Sequence, residues 1–259
     1  MRFIKFIVLI FATSVFAQPS AKTELLNSAP LKVDQLIGVD NFDTRFYLNN
    51  DAFFKYGKFE SKNYSNVQLG TITSANTFNP LKINLLYRDF NSIVILDNRL
   101  AEITKVDFNS LKILRVVTHI TTGNDNAIWL YDQNTQQLEL FDYLTRKTKV
   151  KTLPSKGDVL DLTSNFNFVF LLTDNYLYKY NYTGSLIFKI ENTGYSEIVE
   201  SNDNIVLKKG NLLFFKAKNK EEFIPIKIPE LLINQFLVTN ETLYIYADEI
   251  LHQFQLKID

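Results

Sequence analysis

From about residue 33 onward the chain alternates between short apolar runs and polar clusters. Three to five β-branched, aromatic or leucine residues are followed by Asn, Asp, Gly or Thr, and then by another run. Runs of that length between turn-forming residues predict β-strands joined by tight hairpins, and almost no stretch keeps the spacing of an amphipathic helix. The pattern recurs as a unit. Phe46-Tyr47-Leu48 precedes a polar turn and a second run carrying Phe53 and Tyr56. The same arrangement follows Ile93 (Leu100, Ile103), Ile128 (Leu138, Phe141), Phe168 (Leu177, Tyr180), Ile205 (Leu212, Phe215) and Leu243 (Leu251, Phe254).

The first anchors, Phe53, Leu100, Leu138, Leu177, Leu212 and Leu251, are separated by 47, 38, 39, 35 and 39 residues. A period near 40 is that of propeller blades, each a small antiparallel sheet of about four strands. Asn50, Asp97, Asp174 and Asp248 stand three residues before their anchors, and Gly210-Asn211 serves the fifth unit, so hairpin chemistry recurs with the hydrophobic runs. Residues 36–39, 83–87, 116–120, 159–162, 198–199 and 235–238 are the expected inner strands. Residues 67–69, 149–153, 186–190 and 223–228 are expected to lie further out. The reading is an all-β, six-bladed β-propeller over residues 33–259. The last unit lacks an outer strand, so the N-terminal segment, residues 18–32, is expected to supply it and close the ring. A sandwich or barrel also offers short strands, but has no physical reason to repeat one hairpin at constant phase.

The N-terminus carries a different signal. Arg2 and Lys5 precede an uncharged, mostly apolar run over residues 6–16 that ends in Val15-Phe16-Ala17, followed by Gln18-Pro19-Ser20. That is the form of a cleavable signal peptide over residues 1–17, and the run is too short to span a bilayer. Its removal leaves no transmembrane segment, and the chain is expected in the periplasm or secreted. The absence of cysteine suits an oxidising compartment.

Composition narrows the chemistry. Without cysteine there is no disulfide framework, thiol nucleophile or cysteine metal site. The 28 basic residues balance 28 acidic ones with no long basic run, so nucleic acid is not an expected partner. His119 and His252, the two histidines, stand far apart, no phosphate-cradling glycine loop exists, and neither a metal nor a cofactor is expected. Residues 122–126 lack the ligand alternation and distal glutamate of a calcium loop and read as a turn.

The leader, with Gln18 at the presumed cut, and the Asn-, Lys-, Ile- and Phe-rich composition resemble exported proteins of the Bacteroidetes group. The region from 33 to 259 resembles small bacterial periplasmic β-propeller proteins, in architecture only. There is no WD dipeptide or kelch glycine pair, so the resemblance carries over no functional residues.

Candidate site residues come from position. Tyr87, Arg88 and Asp89 follow an expected inner strand, where Arg88 would clamp a carboxylate or phosphate. His119 falls on the inner strand of the third unit, where an imidazole would face the channel as acid or base. No catalytic constellation accompanies them. Trp129 reads as core. Tyr176, Tyr178, Tyr180 and Tyr182 share one strand face, expected to pack between blades, while Lys208-Lys209-Gly210 and residues 216–222 read as solvated hairpin ends.

The expected function is that of an exported, non-enzymatic propeller acting as a protein-binding or scaffold subunit of a cell-envelope assembly, with protein-export machinery one conceivable host. Its partner would be another envelope protein. The alternatives are a propeller enzyme or small-ligand binder using the axial channel, and an inert repeat of a surface layer.

Overall fold

The computed structural model describes residues 21–257, and the expected signal peptide lies outside the described residues. Among the described residues there are twenty-four strands and one 3-10 turn. β1 (Ala21–Pro30) comes first. The first four-stranded sheet is β2 (Gln35–Val39), β3 (Arg45–Asn49), β4 (Ala52–Tyr56) and β5 (Ser61–Tyr64). The second is β6 (Ser74–Asn76), β7 (Ile83–Tyr87), β8 (Ser92–Leu96) and β9 (Glu102–Asp107). The third is β10 (Val117–Thr122), β11 (Ala127–Asp132), β12 (Gln137–Asp142) and β13 (Lys147–Lys151). The fourth is β14 (Val159–Ser164), β15 (Phe168–Thr173), β16 (Tyr176–Asn181) and β17 (Leu186–Glu191). The remaining strands are β18 (Glu197–Ser201), β19 (Asn204–Lys209), β20 (Leu212–Lys216), β21 (Ile224–Lys227), β22 (Gln235–Thr239), β23 (Thr242–Ala247) and β24 (Ile250–Lys257). Together with β1 they form one eight-stranded sheet, in the order β18-β19-β20-β21-β1-β24-β23-β22.

The architecture is an all-β propeller arrangement. Four sheets stand alone as four-stranded blades, in place of the six separate blades expected from the repeat. The reason lies in β1. It pairs antiparallel with β24 from Lys22 opposite Lys257 to Pro30 opposite Ile250, and its first residues also pair in parallel with β21, Ala21 opposite Ile226 and Lys22 opposite Lys227. That short parallel ladder joins the outer edges of two neighbouring groups of strands into one sheet. Main-chain pairing of this kind leaves no side-chain pattern for the sequence to display.

A second correction concerns phase. The expected inner strand at 83–87 is β7, the second strand of its sheet, and β6 is the innermost. β7 and β8 are both wholly buried, as sheets covered on two faces require, so two successive hairpins have the same apolar pattern. The true first strand, Ser74-Ala75-Asn76, is short and polar. Residues 67–69, expected as an outer strand, are not one; the more polar β5 takes that edge.

Packing explains the aromatic load. The core divides into clusters lying between consecutive groups of strands. Phe46 and Phe53 pack on Ile83 and Leu85, Leu86 and Phe108 on Ile128 and Phe141, and Trp129 and Leu140 on Leu171 and Tyr178. Phe170 and Leu172 meet Ile205 and Leu207, Leu213 and Phe215 meet Leu243 and Phe254, and Tyr244 and Tyr246 return to Leu36 and Val39. Tyr178 and Tyr180 are buried there and stack at 5.9 Å, whereas Tyr182, past the end of β16, is exposed. Lys216 is buried rather than solvated, its ammonium donating to the Lys220 carbonyl 5.3 Å from the Phe188 ring.

The turns follow their residues. Asn50-Asp51, Asn202-Asp203 and Asp248-Glu249 place both central residues at positive φ (49° and 60°, 54° and 65°, 49° and 61°), the type I′ geometry that matches strand twist and that Asn and Asp tolerate best after glycine.

Candidate functional site

The first strands β2, β6, β14, β18 and β22, with residues of the turns that follow β2, β6, β18 and β22, line a cavity of about 560 Å³. Side chains tie neighbouring first strands together. The Gln235 carbonyl oxygen accepts from the Leu36 amide at 2.8 Å, the Asp161 carboxylate accepts from the Ile198 amide at 2.8 Å, and the Thr239 hydroxyl donates to the Val39 carbonyl at 2.7 Å. Gly38 lets β2 pass close to the next turn, because a Cβ there would fall 2.5 Å from the Thr77 hydroxyl oxygen. β10 is held behind this wall by its polar side chains. The Asn76 amide donates to Thr121 at 3.2 Å and accepts from Thr122 at 2.6 Å, and Thr121 and Ser164 share a hydrogen bond at 2.8 Å.

The lining is acidic. Asp40, Asp161, Glu197 and Glu200 contribute carboxylates, and no Lys, Arg or His is among the lining residues. Asp161 sits at a β-bulge that turns its carboxylate toward the Leu162 and Ile198 amides, both at 2.8 Å, while burial pushes its pKa up to about 6. Glu197 pairs with the Lys208 ammonium at 2.5 Å. Asp40 accepts from the Phe42 and Thr44 amides at 2.8 and 2.9 Å. Glu200 is only 8% exposed. Its Oε1 accepts from the Asn165 side-chain amide at 2.8 Å and the Asp203 amide at 2.7 Å, Oε2 has no partner, and burial raises its pKa.

The mouth at the far end of the first strands carries exposed aromatics. Phe42, in the turn after β2, is 85% exposed. Phe78 after β6 and Phe166 after β14 are 41% and 48% exposed and meet edge to face at 5.0 Å. Asn41, Asn240 and Asn202 link by side-chain hydrogen bonds along the same rim.

The sequence candidates lie elsewhere, and none of the four lines the cavity. Tyr87 is wholly buried between the first and second sheets, where burial raises its pKa. Asp89 is exposed in the turn after β7. Arg88 and His119 do come together: the Arg88 guanidinium donates to the Thr118 carbonyl at 2.9 Å, beside the bulge that precedes His119. Burial, with a smaller contribution from the Arg88 charge, holds the His119 pKa near 4, so the imidazole is neutral at pH 7.

Sequence reasoning missed the cavity carboxylates and the aromatic rim. The rim does have a signal: in Asn41-Phe42-Asp43, Phe78-Asn79 and Asn165-Phe166-Asn167 a phenylalanine occupies a turn whose neighbours are polar. Among the described residues no group of three or more His, Asp or Glu side chains is placed to hold a metal ion, and no helix is long and apolar enough to cross a membrane.

No family model and no curated protein match the sequence. Solved structures do match the fold. A catalytically inactive virginiamycin B lyase from Staphylococcus aureus, with quinupristin, aligns over 88% of this chain and 82% of its own at 12% identity, with a TM-score of 0.62. The WD40 domain of Neurospora crassa Pan2 covers 86% of this chain and 74% of its own at 9% identity, with a TM-score of 0.60. PorZ, a surface component of the type-IX secretion system of Porphyromonas gingivalis, aligns over 92% of this chain and 39% of its own at 14% identity, with a TM-score of 0.53. At such identities the likeness is one of fold, and the fold to which this chain is similar is the β-propeller.

Proposed function

We propose that this chain is an exported, non-enzymatic propeller that serves as a protein-binding or scaffold subunit of a cell-envelope assembly, in the periplasm or outside the cell. The observation that carries the reading is a group of exposed phenylalanines at one mouth of the cavity, Phe42 and Phe78 in its lining and Phe166 packed edge to face on Phe78. Aromatic residues at a concave, otherwise polar surface suit a protein interface, where they supply large contact area at small entropic cost. PorZ, a surface component of a secretion system, supports the envelope setting, and the N-terminal pattern of residues 1–17 agrees with export. The ring is counted as six sectors in this reading, the eight-stranded sheet being two. In support, β2, β6, β10, β14, β18 and β22 touch in cyclic order, and a core cluster lies at each junction.

A tagged mature chain should recover one stoichiometric protein from detergent-solubilised envelopes, and the Phe42→Ala/Phe78→Ala/Phe166→Ala variant should lose it. Recovery of the tagged chain alone would overturn the reading. The alternative, a small-ligand binder or enzyme working at the axis, draws on the cavity itself, whose volume is within the range of ligand sites.

A further inference from the structure

We infer that the axial cavity binds a neutral saccharide, whose hydroxyls meet the side-chain amides and hydroxyls of the lining and whose carbon–hydrogen faces meet the apolar surface between them. The inference concerns the interior of the cavity and does not depend on the protein-binding reading above.

The lining excludes simpler ligands first. Among the described lining residues there is no Lys, Arg or His to hold a phosphate or carboxylate, and four acidic side chains make the potential unfavourable to any anion. Those carboxylates do not make a cation site either. Asp40 and Asp161 accept from backbone amides, Glu197 is paired with Lys208, and the unpartnered oxygen of Glu200 is enclosed. A wholly apolar ligand would strip water from the polar side chains of the wall and return no hydrogen bond. What remains is a neutral molecule that both donates and accepts.

The groups to meet it are in place. Gln35, Thr77, Thr163 and Ser201 line the cavity half-buried, and their side chains hydrogen-bond to no described residue. Their polar atoms are not enclosed as the Glu200 oxygen is, so a ligand can reach them. Gln235 accepts from the Leu36 amide through its oxygen and keeps its amide nitrogen free. An amide carries two donors and an acceptor, and a hydroxyl donates and accepts, which is the complement of adjacent hydroxyls on a sugar ring. Between these groups Ile37, Val199 and Leu237 offer half-buried apolar surface for the carbon–hydrogen faces of the ring. The volume of about 560 Å³ lies within the range of ligand sites and exceeds one sugar ring. A second unit reaching the mouth meets the Phe42 and Phe78 rings, both part of the lining.

The test applies the tagged mature chain to an array printed with neutral saccharides and with sialylated and sulfated ones. Binding should fall on a set of neutral saccharides and spare their anionic forms. By titration calorimetry with the strongest neutral saccharide, Thr163→Val/Ser201→Ala should bind about tenfold more weakly at an unchanged unfolding midpoint, since neither hydroxyl holds the fold together. Thr163→Ser, which keeps the hydroxyl, should stay within about threefold of the parent. An array on which no neutral saccharide binds, equal binding of neutral and anionic forms, full affinity in the double variant, or a loss in Thr163→Ser as large as in Thr163→Val would each overturn the inference. Capture of an envelope partner by a chain that binds no saccharide removes this inference alone and leaves the protein-binding reading standing.

Discussion

Replacing Glu139 by alanine is expected to cost about 3–5 kcal/mol of stability, the usual consequence of removing one partner of a buried ion pair. Glu139 and Arg115 have side chains 0% and 3% exposed and meet at 2.9 Å. The Arg115 guanidinium also donates to the Thr148 hydroxyl and the Ile113 carbonyl and lies 5.4 Å from the Phe141 ring, while Thr148 and Lys151 reach the same carboxylate at 2.5 and 2.6 Å. Burial alone would raise the Glu139 pKa, but the hydrogen bonds from Lys151, Thr148 and Arg115 outweigh it and hold the group below the usual carboxylate range. Alanine would leave a guanidinium in the interior with no counter-charge. Urea denaturation of the two proteins measures the loss. The double variant Arg115→Met/Glu139→Leu should recover most of it, because two apolar side chains of similar volume need no desolvated charge. A loss under about 1 kcal/mol in the single variant would show that water reaches the pair.

Removal of β1 should have the other large effect. A chain beginning at Leu31 loses the whole ladder along β24 and the short parallel ladder to β21, together with the buried Ala21. It uncovers β24, whose Phe254 and Leu256 lie in the core, and presents a long unpaired strand edge to other molecules. At a net of about 0.5–1.5 kcal/mol per backbone hydrogen bond, the lost pairing is comparable to the 5–15 kcal/mol stability of an ordinary domain. The truncated chain should therefore unfold over a broad range and associate with itself. A synthetic peptide of the Ala21–Pro30 sequence, added in trans, should restore a single cooperative transition. A truncated chain that stays monomeric with an unchanged midpoint would mean that the ring closes without this strand.

The repeat was legible because sheets covered on both faces need continuous apolar runs, and runs such as Ile93-Val94-Ile95-Leu96 and Phe168-Val169-Phe170-Leu171-Leu172 supply them. What escaped has physical causes of its own. Ser74-Ala75-Asn76 is a three-residue strand with no fully buried position and carries no apolar run, so the repeat read from the sequence lies one strand out of phase in the second unit and puts Tyr87, Arg88 and Asp89 after a strand that is the second of its sheet. His119 was placed on a first strand correctly, but its strand stands behind the Thr121 and Thr122 hydrogen bonds that tie it to its neighbours. Glu200 shares its strand face with the core residue Ile198, and Asp161 is turned by a bulge, so neither follows from the alternation that the sequence displays.

Amide hydrogen exchange of the mature chain, alone and with its captured envelope partner, tests the central claim most directly. Docking at the mouth predicts slowed exchange in the turns at residues 40–44, 76–82, 165–167 and 200–203, with the outer strands β13 and β17 unchanged. Protection confined to those outer strands, with the four turns exchanging as in the free protein, would contradict it.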